Sequence, residues 1–338
     1  MDSSFFSGKR ILITGGTGSL GQALTQKLLS FDVKAIRILS RNESKQVEMQ
    51  RSFSDRRLNF FIGDIRDLPR LIRSFEDVDI VFHTAALKHV PVIEYNPFES
   101  VKTNVIGTQN VIDAAIEQDV ELVVGIGTDK AVSPLNTYGA SKLLMEKLLT
   151  SAHNFINPNR HKTKFVTLRY GNVFGSSGSV FPTWISQIKH NQKITITEES
   201  MTRFSINMNE ALNFILESAS ISRGGEIFVP KIKAYGIIDL KNALCELITD
   251  PGHEIIGIRP AEKIHEILIA SDEIRCTWEL GNKYIIFNPD ISEQKILEYY
   301  PDIKKTLGLT NYSSEFAEKL SLSDLTKMLK NSKILDKN

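Results

Sequence analysis

The chain has 338 residues, 41% of them apolar and 24% charged, with a formal net charge of +1. That length suits one large α/β domain or two closely joined ones. So small a charge supplies no global field to draw the chain to nucleic acid or an anionic membrane, and no run approaches the ~20 apolar residues that span a bilayer.

Taken in order, Arg10 to Thr14 is a short apolar run ending in glycines, which predicts a buried strand. Leu20 to Leu29 predicts a helix with Leu20, Ala23, Leu24 and Leu28 on one face. Further strands are predicted at Ala35 to Leu39, Leu58 to Ile62, Ile80 to His83, Glu121 to Ile126 and Phe165 to Arg169. Helices are predicted at Val101 to Glu117 and from Ser141 to Ser151. Strands alternating with helices imply right-handed crossovers and a doubly wound parallel sheet of about seven strands in an α/β fold. After Gly171 the alternation weakens. Gly175, Gly178 and Pro182 read as loop signals, Glu210 to Ser218 and Asp239 to Ile248 as helices, and Gly225 to Val229 and Lys283 to Phe287 as strands. This pattern predicts a first domain of residues 1–170 plus about 208–232, and a smaller α/β substrate-binding domain of 171–207 plus about 233–338. Ser321 with Asp324 predicts a capped terminal helix through Leu329.

Met1 to Arg10 lacks the basic and long apolar regions of a signal peptide. Cys245 and Cys276 have no metal-ligand or Cys-x-x-Cys spacing, so free thiols in a reducing cytoplasm are expected. The seven histidines also lack ligand spacing, and His265-Glu266 is followed by Ile269 where a second histidine would stand. No catalytic metal is expected.

Gly15, Gly18 and Gly21 fall between the first strand and the first helix. There glycine permits a tight turn and close approach of a pyrophosphate, while the helix start offers free amides. Thr17, Ser19 and Leu20 belong to the same loop. The second strand ends at Ser40-Arg41-Asn42 where a ribose-binding carboxylate would favour NAD. Arg41, with Lys45 nearby, instead suits the 2′-phosphate of NADP, or is an ordinary surface arginine. Asp64 ends the third strand, where it can accept from an adenine amino group. Ala85 and Ala86 end the fourth with small side chains that let a cofactor lie flat. Tyr138 and Lys142 are four apart, on one helix face. A cation beside the phenol favours the phenolate, so Tyr138 is a candidate to take a hydroxyl proton, with Thr128 hydrogen-bonding the same oxygen.

With these motifs the chain resembles the extended short-chain dehydrogenase/reductase family, with its Rossmann fold. Within that family it is similar to the inverting UDP-N-acetylglucosamine 4,6-dehydratases that begin pseudaminic acid synthesis. Further segments that carry the likeness are Lys88-His89-Val90-Pro91, Glu94-Tyr95-Asn96-Pro97, Lys102-Thr103-Asn104, Thr128-Asp129-Lys130-Ala131, Arg169-Tyr170-Gly171-Asn172-Val173, Met201-Thr202-Arg203-Phe204, Gly225 to Lys231 and Gly257-Ile258-Arg259-Pro260. They run from about residue 8 to about 290. Retaining sugar dehydratases typically carry Thr-Asp-Glu where this chain has Thr128-Asp129-Lys130. Two positions depart from the pattern: Gly127 stands where Ser is usual, and Ala261 where Gly is usual. Ala261 would resist a positive φ if the loop requires one.

The resemblance implies NADP as cofactor, held also by Ile65, Lys88 and Asn104, and UDP-N-acetylglucosamine as substrate. For the substrate it implies contacts from Lys88, Val180 and Met201. Arg203 and Arg259 are candidate diphosphate clamps, and Glu262 a partner for ribose or uracil. Asn172 either binds the sugar or diphosphate or caps a loop. The expected chemistry has Tyr138, Lys142 and Thr128 oxidising carbon 4. Lys130, made neutral by neighbouring cations or desolvation, takes the carbon-5 proton, and protonated Asp129 releases the 6-hydroxyl as water. Inversion at carbon 5 and a homo-oligomer, dimer or hexamer, follow from the resemblance. A 4-epimerase, a dehydratase for another deoxysugar such as an L-fucosamine precursor, and a non-catalytic NADP sensor are the competing readings.

Overall fold

Arg10–Thr14 (β1) is buried from Ile11 onward on both faces, which a strand tolerates only inside a sheet covered on both sides. Ala35–Ser40 (β2), Leu58–Ile62 (β3), Ile80–His83 (β4), Leu122–Ile126 (β5) and Lys164–Leu168 (β6) join it. The structure, a computed structural model, describes residues 3–157, 159–174, 180–259 and 261–331. The expected Gly175 and Gly178 loop signals and Pro260 lie outside these. The large sheet runs β3-β2-β1-β4-β5-β6, then Ile227–Pro230, Lys283–Ile286, Thr277–Leu280 and Lys304–Lys305. From β3 to Ile227–Pro230 every pairing is parallel; beyond it they are antiparallel. One face buries Ile11, Ile13, Phe82 and Val124, and the other Leu12, Val81 and Val123, so alternate residues of each strand feed two cores. The chain leaves β1 toward β2 on one side and reaches β4 on the other. This reversal opens a crevice at the strands' carboxyl ends.

Several elements differ from expectation, among them Pro182, a loop signal in the sequence that lies within the helix Val180–Lys189. The stretch Val101–Ile106 forms a π-helical turn before the α-helix Gly107–Glu117. The tyrosine helix starts earlier, at Thr137, because Asn136 caps it by accepting from the amide of Gly139 at 2.8 Å. Lys283–Ile286, expected in the smaller domain, pairs into the large sheet with Thr277–Leu280. Trp278 and Ile285 bury into one core of that sheet, and this burial recruits the hairpin.

The remaining chain builds smaller sheets, the largest from Ala234–Gly236, Thr202–Ile206 and Asn172–Val173. A separate core gathers Trp184, Ile196, Leu240, Leu244 and Leu325. The last helix, Leu322–Asn331, carries the expected capping box. The amide of Asp324 donates to Ser321 Oγ at 3.1 Å, and that of Ser321 to Asp324 Oδ2 at 3.2 Å. Among the described residues no helix is long and apolar enough to cross a membrane.

Candidate active site

The crevice begins at Gly15. Its φ is +67°, and a Cβ there would lie 2.8 Å from the Cα of Ala85, so only glycine fits between the ends of β1 and β4. The helix Ser19–Leu29 follows Gly18 without a side-chain cap, leaving first-turn amides directed at the loop. These features fit a pyrophosphate. Thr17 and Gly21 are buried and Leu20 half-buried, while Ser19 is exposed. Ser40 is buried and its hydroxyl accepts from the Gln46 amide at 3.0 Å. Arg41 and Lys45 are exposed at the end of β2, and Arg41 stands 3.8 Å from Asp64. Burial would push the Asp64 carboxyl up, but hydrogen bonds from Arg66 outweigh it and hold the group below the usual carboxylate range.

Ile65 is buried with its side chain over Gly107, and Ala85 and Ala86 are half-buried. Lys88 is exposed on the loop after β4. Asn104, expected at the cofactor, stands behind the loop that follows β4. It is fully buried, and its amide spans Leu87 (2.8 and 3.0 Å) and Ser141 Oγ (3.0 Å). It therefore fixes the loop after β4 to the tyrosine helix.

A short turn after β5 carries Thr128, Asp129 and Lys130. Thr128 Oγ1 donates to Asp129 Oδ1 at 2.8 Å. Lys130 Nζ donates to Asp129 Oδ1 and to Asn172 Oδ1, each at 3.2 Å, and lies 3.6 Å from Glu266 Oε1. Tyr138 is buried beside Lys130, Asp129 and the Thr128 hydroxyl. Burial pushes its phenol up, and Lys130 and Thr128 oppose that shift. The cation that faces the phenol in this arrangement is thus Lys130. Lys142 instead donates to the Ile126 carbonyl at 2.5 Å and to Met145 Sδ at 2.7 Å. Burial pushes Lys142 down to about 7, with Glu146 opposing.

Lys130 corrects one expectation. Burial alone would depress it, but Asp129 and Glu266 overcome that and raise it above the ordinary lysine value. Its neighbours are carboxylates, not crowding cations, so in the free protein it is an ammonium.

Arg203, from Thr202–Ile206, lies over Met201 Sδ at 3.1 Å and donates to the Ile264 carbonyl at 2.8 Å. It pairs with Glu262 Oε1 at 3.2 Å and stands 3.8 Å from Glu266. Its guanidinium is committed inside the protein, whereas Arg259 is exposed. Met201 is buried in the smaller core and supports Arg203 from below. Val180 starts the helix Val180–Lys189 and packs against the same core. Ala261 does adopt a positive φ, +62°, and its carbonyl accepts from Asn136 Nδ2 at 3.1 Å. At Gly127 a Cβ would lie 2.7 Å from the Leu168 carbonyl, which leaves no room for the usual Ser.

Several residues escaped the sequence reading. Glu266 and Lys263 reach the site only through the fold; Lys263 Nζ donates to the Val132 carbonyl. Asn136 was detectable, since asparagine before a helix is a capping signal. Arg169 is fully buried, bidentate to Glu146 (2.5 and 3.1 Å) and to Glu273 (2.8 and 2.9 Å), and so braces the tyrosine helix. Among the described residues no group of three or more His, Cys, Asp or Glu is placed to hold a metal ion.

A glycine loop at the switch point of a parallel sheet, followed by a buried Tyr-x-x-x-Lys helix, defines an enzyme of the extended short-chain dehydrogenase/reductase class. Residues 11–288 match the family described as "Polysaccharide biosynthesis protein", and the chain belongs to that family. It is 47% identical, over 83% of each chain, to a protein of Campylobacter jejuni named UDP-N-acetylglucosamine 4,6-dehydratase (inverting). It is 40% identical, over 96% of each chain, to a Rickettsia bellii protein named UDP-glucose 4-epimerase. Its fold matches the X-ray structure of Pen from Bacillus thuringiensis with a TM-score of 0.89 and 40% identity, over 97% of this chain and 99% of that one.

Proposed function

We propose that the chain is an NADP-dependent UDP-N-acetylglucosamine 4,6-dehydratase that inverts carbon 5. Its product would be a UDP-2-acetamido-2,6-dideoxy-4-hexulose for pseudaminic-acid-type sugars. The observation that carries this reading is the Asp129–Lys130 pair, 3.2 Å apart, beside Tyr138. A 4-epimerase needs a proton acceptor at the 4-hydroxyl but no acid–base pair for water loss. The Gly15 loop and the first helix would hold the dinucleotide, with Arg41 and Lys45 toward a 2′-phosphate. When bound, that dinucleotide supplies the hydride acceptor at carbon 4 and the hydride returned at carbon 6.

The residues of the chain do the proton work. Tyr138, with Thr128 beside it, takes the proton of the 4-hydroxyl. The resulting 4-ketone acidifies carbon 5. Lys130 must be a neutral amine to act there, and Asp129 must be protonated to release the 6-hydroxyl. One internal transfer meets both needs: a Lys130 N–H bond breaks, an Asp129 O–H bond forms, and the pair keeps its total charge. Lys130 then takes the carbon-5 proton while Asp129 gives its own to the leaving hydroxyl, and water departs. The pair is then again ammonium and carboxylate, ready for the next internal transfer. Carbon 5 then takes a proton from solvent on the opposite face, which inverts it, and Tyr138 releases to solvent the proton it took from the 4-hydroxyl, so that only water is lost overall.

Glu262, Arg259, Asn172 and Lys88 would surround the nucleotide diphosphate and sugar, and Arg203 would reach the diphosphate only by exchanging its bond to Glu262. We also place the enzyme in the cytoplasm, as a two-domain subunit of a homo-oligomer. Val92, Tyr95, Phe98 and Leu144 expose large apolar side chains on or near the tyrosine-helix side, whereas Met145 turns into the core. Light scattering that finds only monomer at micromolar concentration would reject the oligomer.

The decisive experiment is incubation with UDP-N-acetylglucosamine, followed by mass spectrometry and NMR. Loss of one water with inverted carbon 5 is the expected result. A product of unchanged mass would establish an epimerase instead, and water loss with carbon 5 unchanged would reject inversion alone. Exchanging Arg41→Asp should move cofactor preference toward NAD by roughly tenfold, about 1.4 kcal/mol; unchanged preference would make Arg41 a plain surface charge.

A further inference from the structure

We propose that Glu266 is a positioning residue of the acid–base pair, a second carboxylate that holds the Lys130 ammonium and sets the upper pH limit to which the Asp129–Lys130 pair keeps its shared proton. The inference rests on the dehydratase reading and goes beyond it, since that chemistry requires only Asp129 and Lys130. Glu266 is 5% exposed, its Oε1 lies 3.6 Å from Lys130 Nζ and 3.8 Å from Arg203 Nε, and its buried Oε2 has no hydrogen-bond partner. Burying a carboxylate with one oxygen unpaired is costly, and a site that only needed packing would not carry it.

The backbone beneath it is held firmly. The Glu266 amide donates to Ser314 Oγ at 2.8 Å, and its carbonyl accepts from the Ser314 amide at 2.8 Å. Ser314 Oγ in turn contacts Thr202 Oγ1 at 2.7 Å. The carboxylate is therefore aimed from a fixed frame, as a preorganised site requires.

The charged and titratable groups that face Glu266 are Lys130 and Asp129 from the turn after β5, Arg203 from Thr202–Ile206, Lys263 from its own loop, and Tyr235 from Ala234–Gly236. Burial pushes Glu266 up and Lys130 chiefly opposes that, so each group governs the other's proton. While ionised, Glu266 keeps Lys130 charged and anchored. Once protonated, it withdraws one of the two carboxylates that stabilise the ammonium, and transfer from Lys130 to Asp129 becomes easier.

The test is the pH profile of water loss from UDP-N-acetylglucosamine in the wild type and in Glu266→Gln. Removing the negative charge should move the basic limb of the profile to lower pH by roughly one to three units, with dinucleotide binding unchanged. Glu266→Asp, which keeps the charge but retracts it by one methylene, should move the limb the same way by less. It also serves if the glutamine variant does not fold. A folded variant that is slower at every pH with the limb unmoved overturns the assignment and leaves Glu266 a packing residue. Wild type that eliminates no water overturns the dehydratase reading itself, so the two failures are distinct.

Discussion

Two lysines twelve positions apart lie in opposite surroundings. On the floor of the site, Lys142 projects from the tyrosine helix against the Ile126 carbonyl and Met145, and burial lowers it to about 7. On the rim, Lys130 sits between Asp129 and Glu266, which raise it. One side chain type thus supplies an amine that gives up its proton readily and an ammonium that holds it. The difference comes from depth and from carboxylates together: Lys142 is 3% exposed, whereas Lys130 keeps 26% of its side chain in solvent and has Asp129 and Glu266 beside it. The floor lysine is held by a backbone carbonyl and a thioether, and the rim lysine by two carboxylates.

The sharpest way to break this division is on the rim. Asp129→Asn and Lys130→Ala should each lower water loss by roughly 10²–10⁴-fold, with dinucleotide binding and the fold retained. Product NMR and a dinucleotide titration read this out, and near-normal turnover in Lys130→Ala would move the base elsewhere.

On the floor, Lys142→Met should slow carbon-4 oxidation by about 10²-fold, measured as dinucleotide reduction in a single turnover. It should also change how stability depends on pH. Because the folded value of about 7 lies below the ordinary 10.5, the unfolded chain binds the extra proton between them. Lys142 therefore makes stability rise with pH across that window, and its contribution is lost as pH falls through 7. Urea unfolding at several pH values should show that slope in the wild type and its loss in the variant.

Two smaller changes test how the floor and rim are built. Gly127→Ser forces a Cβ to within 2.7 Å of the Leu168 carbonyl and should destabilise the protein by about 1–3 kcal/mol. Ala261→Gly relieves the +62° φ of the rim loop but returns entropy to the unfolded chain, so a net gain below about 1 kcal/mol is expected from denaturant midpoints.

The floor was readable from the sequence and the rim only partly. β1 to β6 are apolar runs closed by glycine, aspartate or small residues, and each formed within a residue of its expected bounds. The glycine loop and the Tyr138–Lys142 spacing likewise depend on local pattern. The π-helical turn was invisible, because Val101 to Glu117 has uninterrupted helical periodicity and only the fully buried Asn104 marks the wider turn. The surroundings of Lys130 are hidden from the sequence for a related reason. One of the carboxylates beside it, Glu266, lies 136 residues away in the chain and arrives only through the fold. The hairpin Thr277–Leu280 and Lys283–Ile286 was assigned to the smaller domain because chain order does not reveal which sheet edge is open.

That open edge has its own consequence. A ten-stranded sheet must end somewhere, and its last strand offers unpaired amides and carbonyls to any other extended chain. Here the final strand is only Lys304–Lys305, two residues long, with both side chains in solvent. A second molecule adding a strand there would have to bring its backbone against adjacent positive charges and would gain only a few bonds. On this edge of the sheet the same two lysines therefore oppose strand addition by a second molecule.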